Sequence, residues 1–77
     1  MENVRALSEL SPGEKAIIQK IAVQGSLRRR LLDMGIIAGS PLQVIKVAPL
    51  GDPIDIKIKG YHLSLRKEEA RGILVKG

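Results

Sequence analysis

The chain has 77 residues, a formal net charge of +5 and an isoelectric point near 10.0, and it contains no cysteine. This length predicts one small domain over residues 1–77, without room for a deep active-site cleft. The lack of cysteine excludes disulfides, thiolate metal sites and cysteine nucleophiles. The positive charge favours an anionic partner, although outward-facing lysines that merely keep a small protein soluble would give the same total.

The amino-terminal segment and the hydropathy pattern argue against export. The segment MENVRALSEL carries too many charges for a signal peptide. No apolar run approaches the roughly 18 residues of a membrane span. We therefore expect a soluble, cytoplasmic protein without membrane insertion.

The first elements are a lead-in and a strand. Residues 1–13 predict a one-turn lead-in that ends in a proline–glycine turn at 11–13. Residues 15–23 are rich in β-branched side chains and predict the first strand. Its alternation is imperfect, because the adjacent Ile17 and Ile18 must point to opposite faces. This pattern indicates either burial on both faces or a β-bulge.

A short amphipathic helix of about two turns is predicted next. Leu27, Leu31 and Met34 share one face, Ser26 occupies the N-cap position, and Gly35 occupies the left-handed C′ position. A helix this short is stable only when its apolar face is buried. We therefore expect it to cover the core.

The charges of this helix are placed unfavourably for its own stability. Arg28, Arg29 and Arg30 crowd the positive end of the helix dipole, and Asp33 lies at the negative end. Each misplaced charge costs about 0.3 kcal/mol or more. We interpret this cost as a sign that the arginines face a partner. The alternative is an ordinary solvated face.

A connection, a strand and a loop follow the helix. Residues 35–41 predict a tight, glycine-bounded connection whose Ile36 and Ile37 enter the core. Residues 42–47 predict a second strand, with the preceding proline at its start. Residues 49–53 predict a rigid loop, since two prolines and one glycine stop that strand.

The carboxyl-terminal third has the clearest alternation. Residues 54–59 predict a strand with its isoleucines on one face and its charged residues on the other. Gly60 and Tyr61 predict a hairpin turn with glycine first, leading into the next strand. Residues 66–71 predict one further helical turn, and residues 73–75 a last strand.

Together these elements predict a mainly β domain, a small barrel of about five strands with one short α-helix and a further helical turn. A flat sheet of this composition would leave one apolar face and both edges bare, so we expect it to curl under the helix. A remaining barrel edge leaves pairing between copies of the chain open.

Candidate catalytic and metal-binding groups are scarce. His62, the single histidine, is expected to point outward without a base or nucleophile partner. Joined by Glu68 or Glu69, it would make only a weak, incidental divalent-metal site. The glycines match no phosphate-binding motif. We therefore expect no catalytic residue, no resident metal and no cofactor.

Specific nucleic-acid binding is also poorly supported. Surfaces that bind single strands stack bases on aromatic side chains, and Tyr61 is the only aromatic residue in the chain. A single short helix lacks the second helix that positions a helix-turn-helix reader. We expect no specific nucleic-acid partner, with nonspecific phosphate contact left open.

A protein-binding module remains, with Arg28, Arg29, Leu32 and Leu50 as its candidate contact residues. Leu32 lies about 100° or more from the core-facing stripe of the helix, so we expect it to be exposed. Leu50 lies near the tip of the proline-rich loop. The alternative for Leu50 is that it folds back over the barrel rim.

Three segments resemble the FeoA family of small ferrous iron transport accessory proteins: RxLLDMG followed four residues later by Gly39, the loop PLGDPI, and the ending LSLRKEEARGI. The resemblance extends from Leu10 to Val75. It implies an SH3-like barrel and a cytosolic, non-enzymatic protein that assists ferrous iron uptake by binding FeoB, a membrane transporter with a cytoplasmic GTP-binding domain. A similar domain ends the DtxR-type repressors. The alternative is therefore an iron-linked transcription-regulatory domain that binds nucleic acid or divalent metal.

Overall fold

The computed structural model describes residues 3–77, so Met1 and Glu2 of the predicted lead-in lie outside the described residues. Within this range the chain forms six strands, two helices and one 3₁₀ turn. In order they are β1 (Val4–Ala6), the 3₁₀ turn (Leu7–Glu9), β2 (Lys15–Ile21), α1 (Gly25–Asp33), β3 (Pro41–Val47), β4 (Ile54–Ile58), β5 (Tyr61–Leu65), α2 (Lys67–Arg71) and β6 (Ile73–Lys76).

The strands form one antiparallel sheet in the order β1-β6-β2-β3-β4-β5. The sheet is open, with β1 and β5 at its two ends, and the 3₁₀ turn packs against α2 and β6. The mainly β class, the short helix and the further helical turn are confirmed. β1 is an additional strand that the sequence pattern did not predict, and the 3₁₀ turn is the predicted one-turn lead-in.

The core is aliphatic and continuous, because every sheet strand except β1 contributes side chains to one buried cluster together with α1, α2 and the 3₁₀ turn. β4 shows the predicted alternation most clearly, since Ile54, Ile56 and Ile58 are each no more than 2% exposed. Burying a side chain of this size is worth about 1.5–3 kcal/mol. Leu27 and Leu31 of α1 belong to the same buried cluster, so the core provides the apolar surface that this short helix needs.

The imperfect alternation of β2 is explained by a β-bulge, one of the two predicted alternatives. The register of β2 against β6 shifts between Ile18 and Lys20. Before the bulge, Ile18 is buried and Ile17 is exposed on the outer face. β3 contains a second irregularity between Val44 and Lys46, and Ile45 is left exposed there.

The amino terminus of α1 differs from the prediction. The helix begins at Gly25, so Gln24 occupies the N-cap position and Ser26 lies inside the first turn. The Gln24 side chain makes no capping hydrogen bond. Gly25 has φ of +73°, a conformation that glycine adopts without steric cost and serine does not. The N-cap therefore lies two residues before the predicted one.

The carboxyl terminus of α1 confirms the predicted glycine stop. Gly35 has φ of +77°, and its N–H donates to the Leu32 carbonyl at 3.0 Å. The Ile36 N–H donates to the Leu31 carbonyl at 2.9 Å. These two bonds form a Schellman motif, and its usual apolar contact is available because Leu31 and Ile36 are both buried.

The prediction that Ile37 enters the core is wrong. Ile36 is buried, but Ile37 is 54% exposed. Ile37 starts a turn in which its carbonyl accepts the Ser40 N–H at 3.0 Å and its N–H donates to Ser40 Oγ at 3.1 Å. Gly39, with φ of +95°, occupies the third position, as a type II turn requires. The turn directs Ile37 outward.

The hairpin between β4 and β5 also differs by one residue from the prediction. Its two loop residues are Lys59 and Gly60, both with positive φ, and Ile58 pairs with Tyr61 across the turn. Two positive φ angles define a type I′ turn, whose twist matches that of the flanking strands. Tyr61 is therefore the first residue of β5 and lies outside the turn.

Candidate protein-docking surface

A groove of about 400 Å³ lies beside α1 and brings together two of the four predicted contact residues. α1, the end of β2 and the connection to β3 form its walls. The lining residues are Gln19, Lys20, Ile21, Arg28, Leu32, Ile37 and Ala38. We call this concavity the helix groove.

The helix groove has an apolar strip with cations at its rim. Leu32 is 48% exposed and Ile37 is 54% exposed, while Ile21 is half-buried. Lys20 and Arg28 are both exposed at the edge of this strip. Apolar side chains beside positive charge suit a partner surface that carries apolar anchors and carboxylates.

The three arginines of α1 have different surroundings. Arg28 Nη1 donates to the Ile21 carbonyl at 3.0 Å, which ties the first turn of α1 to the end of β2. Arg29 is exposed, and within residues 3–77 its side chain makes no ion pair or hydrogen bond. Arg30 lines a separate small pocket with Glu69 on α2. Arg28 therefore has a local structural contact, and Arg29 is free for a partner.

Leu50 is 91% exposed at the tip of the loop between β3 and β4, so it does not fold back over the rim. The loop around it is held in place. The Gly51 N–H donates to the Ala48 carbonyl at 2.7 Å, and Asp52 Oδ1 accepts the Lys67 N–H at 3.2 Å. These bonds attach the loop to the amino terminus of α2.

The structure thus brings Arg28 and Leu32 together but places neither Arg29 nor Leu50 in the helix groove. Ile37 is the residue that sequence reasoning missed. The turn itself could have been predicted, because glycine in the third position is typical of a type II turn, and Ile37 is then its first residue. Adding Ile37 extends the exposed apolar surface across the end of α1.

Titratable groups give little support for catalysis. Within residues 3–77, no three histidine, aspartate or glutamate side chains come close enough together to hold a metal ion. His62 is exposed on β5, in register with Lys57. Glu14 accepts hydrogen bonds from the Arg5 guanidinium and the Ser11 N–H, and these lower the pKa of its carboxyl. Glu14 lies outside the helix groove, so this carboxylate is a structural contact.

In the described part of the chain, no helix combines the length and apolar character needed to cross a membrane. The helices are nine and five residues long.

Comparison with known proteins identifies close relatives. The family model of the FeoA domain matches residues 5–77. A Porphyromonas gingivalis Fe(2+) transport protein A/Fe(2+) transporter FeoB fusion protein is 42% identical over 69 residues, covering 90% of this chain but 8% of the fusion protein. The solution structure of FeoA from Chlorobium tepidum is 44% identical with a TM-score of 0.85, covering 92% of this chain and 68% of that chain.

Two more distant structures share the fold. A procaryotic SH3 domain protein, FeoA of Stenotrophomonas maltophilia complexed with zinc, is 24% identical with a TM-score of 0.76 and covers 97% of this chain and 88% of that one. A manganese-dependent transcriptional repressor is 20% identical with a TM-score of 0.86, covering 100% of this chain and 43% of that one.

These likenesses confirm the SH3-like fold. The family match over residues 5–77, together with the 42% identity to the fusion protein, shows that this chain belongs to the FeoA family, which is linked to ferrous iron transport.

Proposed function

We propose that this chain is a non-enzymatic accessory protein of ferrous iron uptake that docks on the cytoplasmic GTP-binding part of a FeoB-type transporter. The observation that carries the proposal is the Porphyromonas gingivalis relative, in which FeoA and FeoB sequences form one polypeptide. Linking two modules turns their association into an intramolecular event at high effective concentration, which benefits a pair that works in contact. In this proposal residues 1–77 act as one cytoplasmic domain without a resident cofactor.

The proposed contact residues are Arg28, Arg29, Leu32 and Leu50. Leu32 and Leu50 provide exposed apolar anchors, and burial of a fully exposed leucine on docking contributes about 1.5–3 kcal/mol. Arg29 has no partner within residues 3–77, so its charge is available to a carboxylate of the transporter. The partner would contact Leu32 in the helix groove, and Leu50 would enter a separate pocket of the same partner.

Isothermal titration calorimetry with the purified cytoplasmic region of the transporter from the same organism tests this surface. We expect Leu50→Asp to weaken binding about tenfold or more, because the variant removes the anchor and places a charge in the interface. Arg29→Glu is expected to weaken binding by a smaller factor, and added salt should reduce the effect of Arg29.

Two matched variants on β3 control for surface changes in general. Ile45→Asp alters an exposed apolar residue, and Lys46→Glu reverses an exposed charge, both outside the helix groove. Unchanged affinity after both Arg29→Glu and Leu50→Asp would remove the proposed surface. Absence of any binding by the unaltered chain would remove the proposed function.

The alternative, an iron-linked transcription-regulatory domain, has support at the level of fold only, because the repressor is 20% identical. An electrophoretic mobility-shift titration at physiological salt separates the two functions. Sequence-specific retention of DNA would favour the regulatory domain, whereas a smear governed by salt alone would count against it.

A further inference from the structure

A second concavity, of about 410 Å³, lies on the outer face of β2, β3 and β4 and shares no lining residue with the helix groove. Ile17 and Pro41 form its exposed apolar floor, with Lys15, Gln43 and Lys57 along one side. We call it the sheet groove. Its volume falls within the range of about 300–1,000 Å³ that is typical of ligand sites.

The strand register places the lining residues in two rows. Lys15 pairs with Gln43, and Gln43 pairs with Lys57, so these side chains form one row across three strands. Ile17 pairs with Pro41 in the next row on the same face. Since neighbouring strands lie about 4.8 Å apart, the backbones that carry the two lysines are about 10 Å apart.

The two lysines of the sheet groove lack negative partners. Within residues 3–77, neither Lys15 nor Lys57 has a carboxylate within ion-pair distance. Gln43, which stands between them, donates from Nε2 to the Gly13 carbonyl at 3.3 Å. The groove, whose lining also includes Gly77, therefore presents two cations without a carboxylate within ion-pair distance beside an apolar floor. An anionic group attached to an apolar one complements this surface.

We propose that the sheet groove binds an acidic peptide segment, with an apolar side chain on Ile17 and Pro41 and carboxylates on Lys15 and Lys57. The shape and composition of the groove favour a peptide over other anions. Bases stack on aromatic side chains, and the lining contains none. This surface is additional to the proposed transporter contact and uses different residues.

Amide chemical shifts in ¹H–¹⁵N NMR spectra of the full chain test the proposal. The probe is a synthetic peptide of alternating glutamate and leucine, blocked at both ends so that it has no terminal charge. We expect saturable shifts at the amides of β2, β3 and β4 that line the sheet groove. Lys57→Glu should raise the dissociation constant about fivefold, since it loses one exposed ion pair and adds repulsion.

The matched control is Lys20→Glu, which makes the same charge change on β2 but in the helix groove. We expect it to change the dissociation constant less than about twofold, in keeping with long-range screening. Ile17→Ser probes the apolar floor without changing charge and should also weaken binding. Circular dichroism of each variant separates lost binding from lost folding.

The proposal would be overturned by the absence of peptide shifts, by shifts centred on the helix groove, or by equal weakening from Lys20→Glu and Lys57→Glu. Sheet-groove shifts with phosphatidylserine vesicles or oligothymidylate, but not with the peptide, would also overturn it. These results leave transporter docking untouched, because calorimetry with Arg29→Glu and Leu50→Asp addresses separate residues.

Discussion

Replacing Gly72 by alanine should destabilise the fold by steric conflict alone. A Cβ atom at Gly72 would lie 2.6 Å from Cγ1 of Val23 and 3.4 Å from the Val23 backbone nitrogen. Non-bonded carbon atoms prefer separations of about 3.5–4.0 Å, so one of the two residues must move by about 1 Å. Gly72 has φ of −88°, which alanine adopts freely, so backbone strain contributes nothing.

The surroundings of Gly72 give little room for that movement. Its carbonyl accepts the Ala22 N–H at 2.6 Å, which fixes the junction of α2 and β6 against the end of β2. Val23 is 9% exposed within the core cluster. We expect Gly72→Ala to lower the free energy of unfolding by about 1–3 kcal/mol, the usual cost of overpacking. Each kcal/mol corresponds to a fall of about 4–8 °C in Tm for a domain of this size.

A double-mutant cycle measured by urea denaturation separates this conflict from other effects. Val23→Ala alone should cost about 1.5 kcal/mol, because it removes two buried methyl groups. In the double variant the conflict is relieved, so the combined cost should be at least about 1 kcal/mol less than the sum of the two single costs. Additive costs, or a neutral Gly72→Ala, would refute the reasoning.

Three further predictions concern the helix, one ion pair and the exposed loop. Leu31→Ala should lower the free energy of unfolding by about 3 kcal/mol, because it leaves a cavity in the core, whereas Leu32→Ala on the exposed face should change it by less than about 0.5 kcal/mol. Thermal unfolding compares the two variants, and equal losses would contradict the assigned faces. The folded-state pKa of Glu14 is lowered from 4.5, so its stabilisation is present above that pH and is lost as pH falls through the lowered pKa. Urea titrations should therefore show Glu14→Gln less stable than the parent chain at pH 7, with the gap closing as pH falls through the lowered pKa of Glu14. A gap independent of pH would exclude this origin. Leu50→Asp should leave Tm unchanged within about 2 °C, because the side chain contacts little of the fold, and a larger fall would show a structural role.

Local sequence patterns correctly predicted features that depend on the conformation of a short stretch of backbone. The period-two alternation of residues 54–58 and the glycine stop at Gly35 depend on local backbone geometry, and both are present. Leu32 was assigned to the exposed face from its helical angle alone, and it is 48% exposed. These features required no knowledge of tertiary contacts.

The errors at Ser26, Ile37 and Tyr61 arose within single turns, whereas contacts between elements account for other features that local patterns missed. β1 has three residues and depends on pairing between Val4 and Lys76, at the opposite end of the chain. The hydrogen bond from Arg28 to the Ile21 carbonyl joins a helix to a strand end that only the folded chain brings together. The sheet groove likewise exists only in the register of β2, β3 and β4, because its two lysines are distant in sequence.

The hydrogen bonds that hold the β3–β4 loop lower the entropy cost of any association through Leu50. Ordering a flexible loop costs about 1–2 kcal/mol of backbone entropy per residue, and a partner that had to impose that order would lose the corresponding affinity. Here the turn at Ala48 and Gly51 and the link from Asp52 to α2 fix the loop during folding. The backbone that carries Leu50 is thus ordered before any encounter, so a partner would have to order only the exposed side chain.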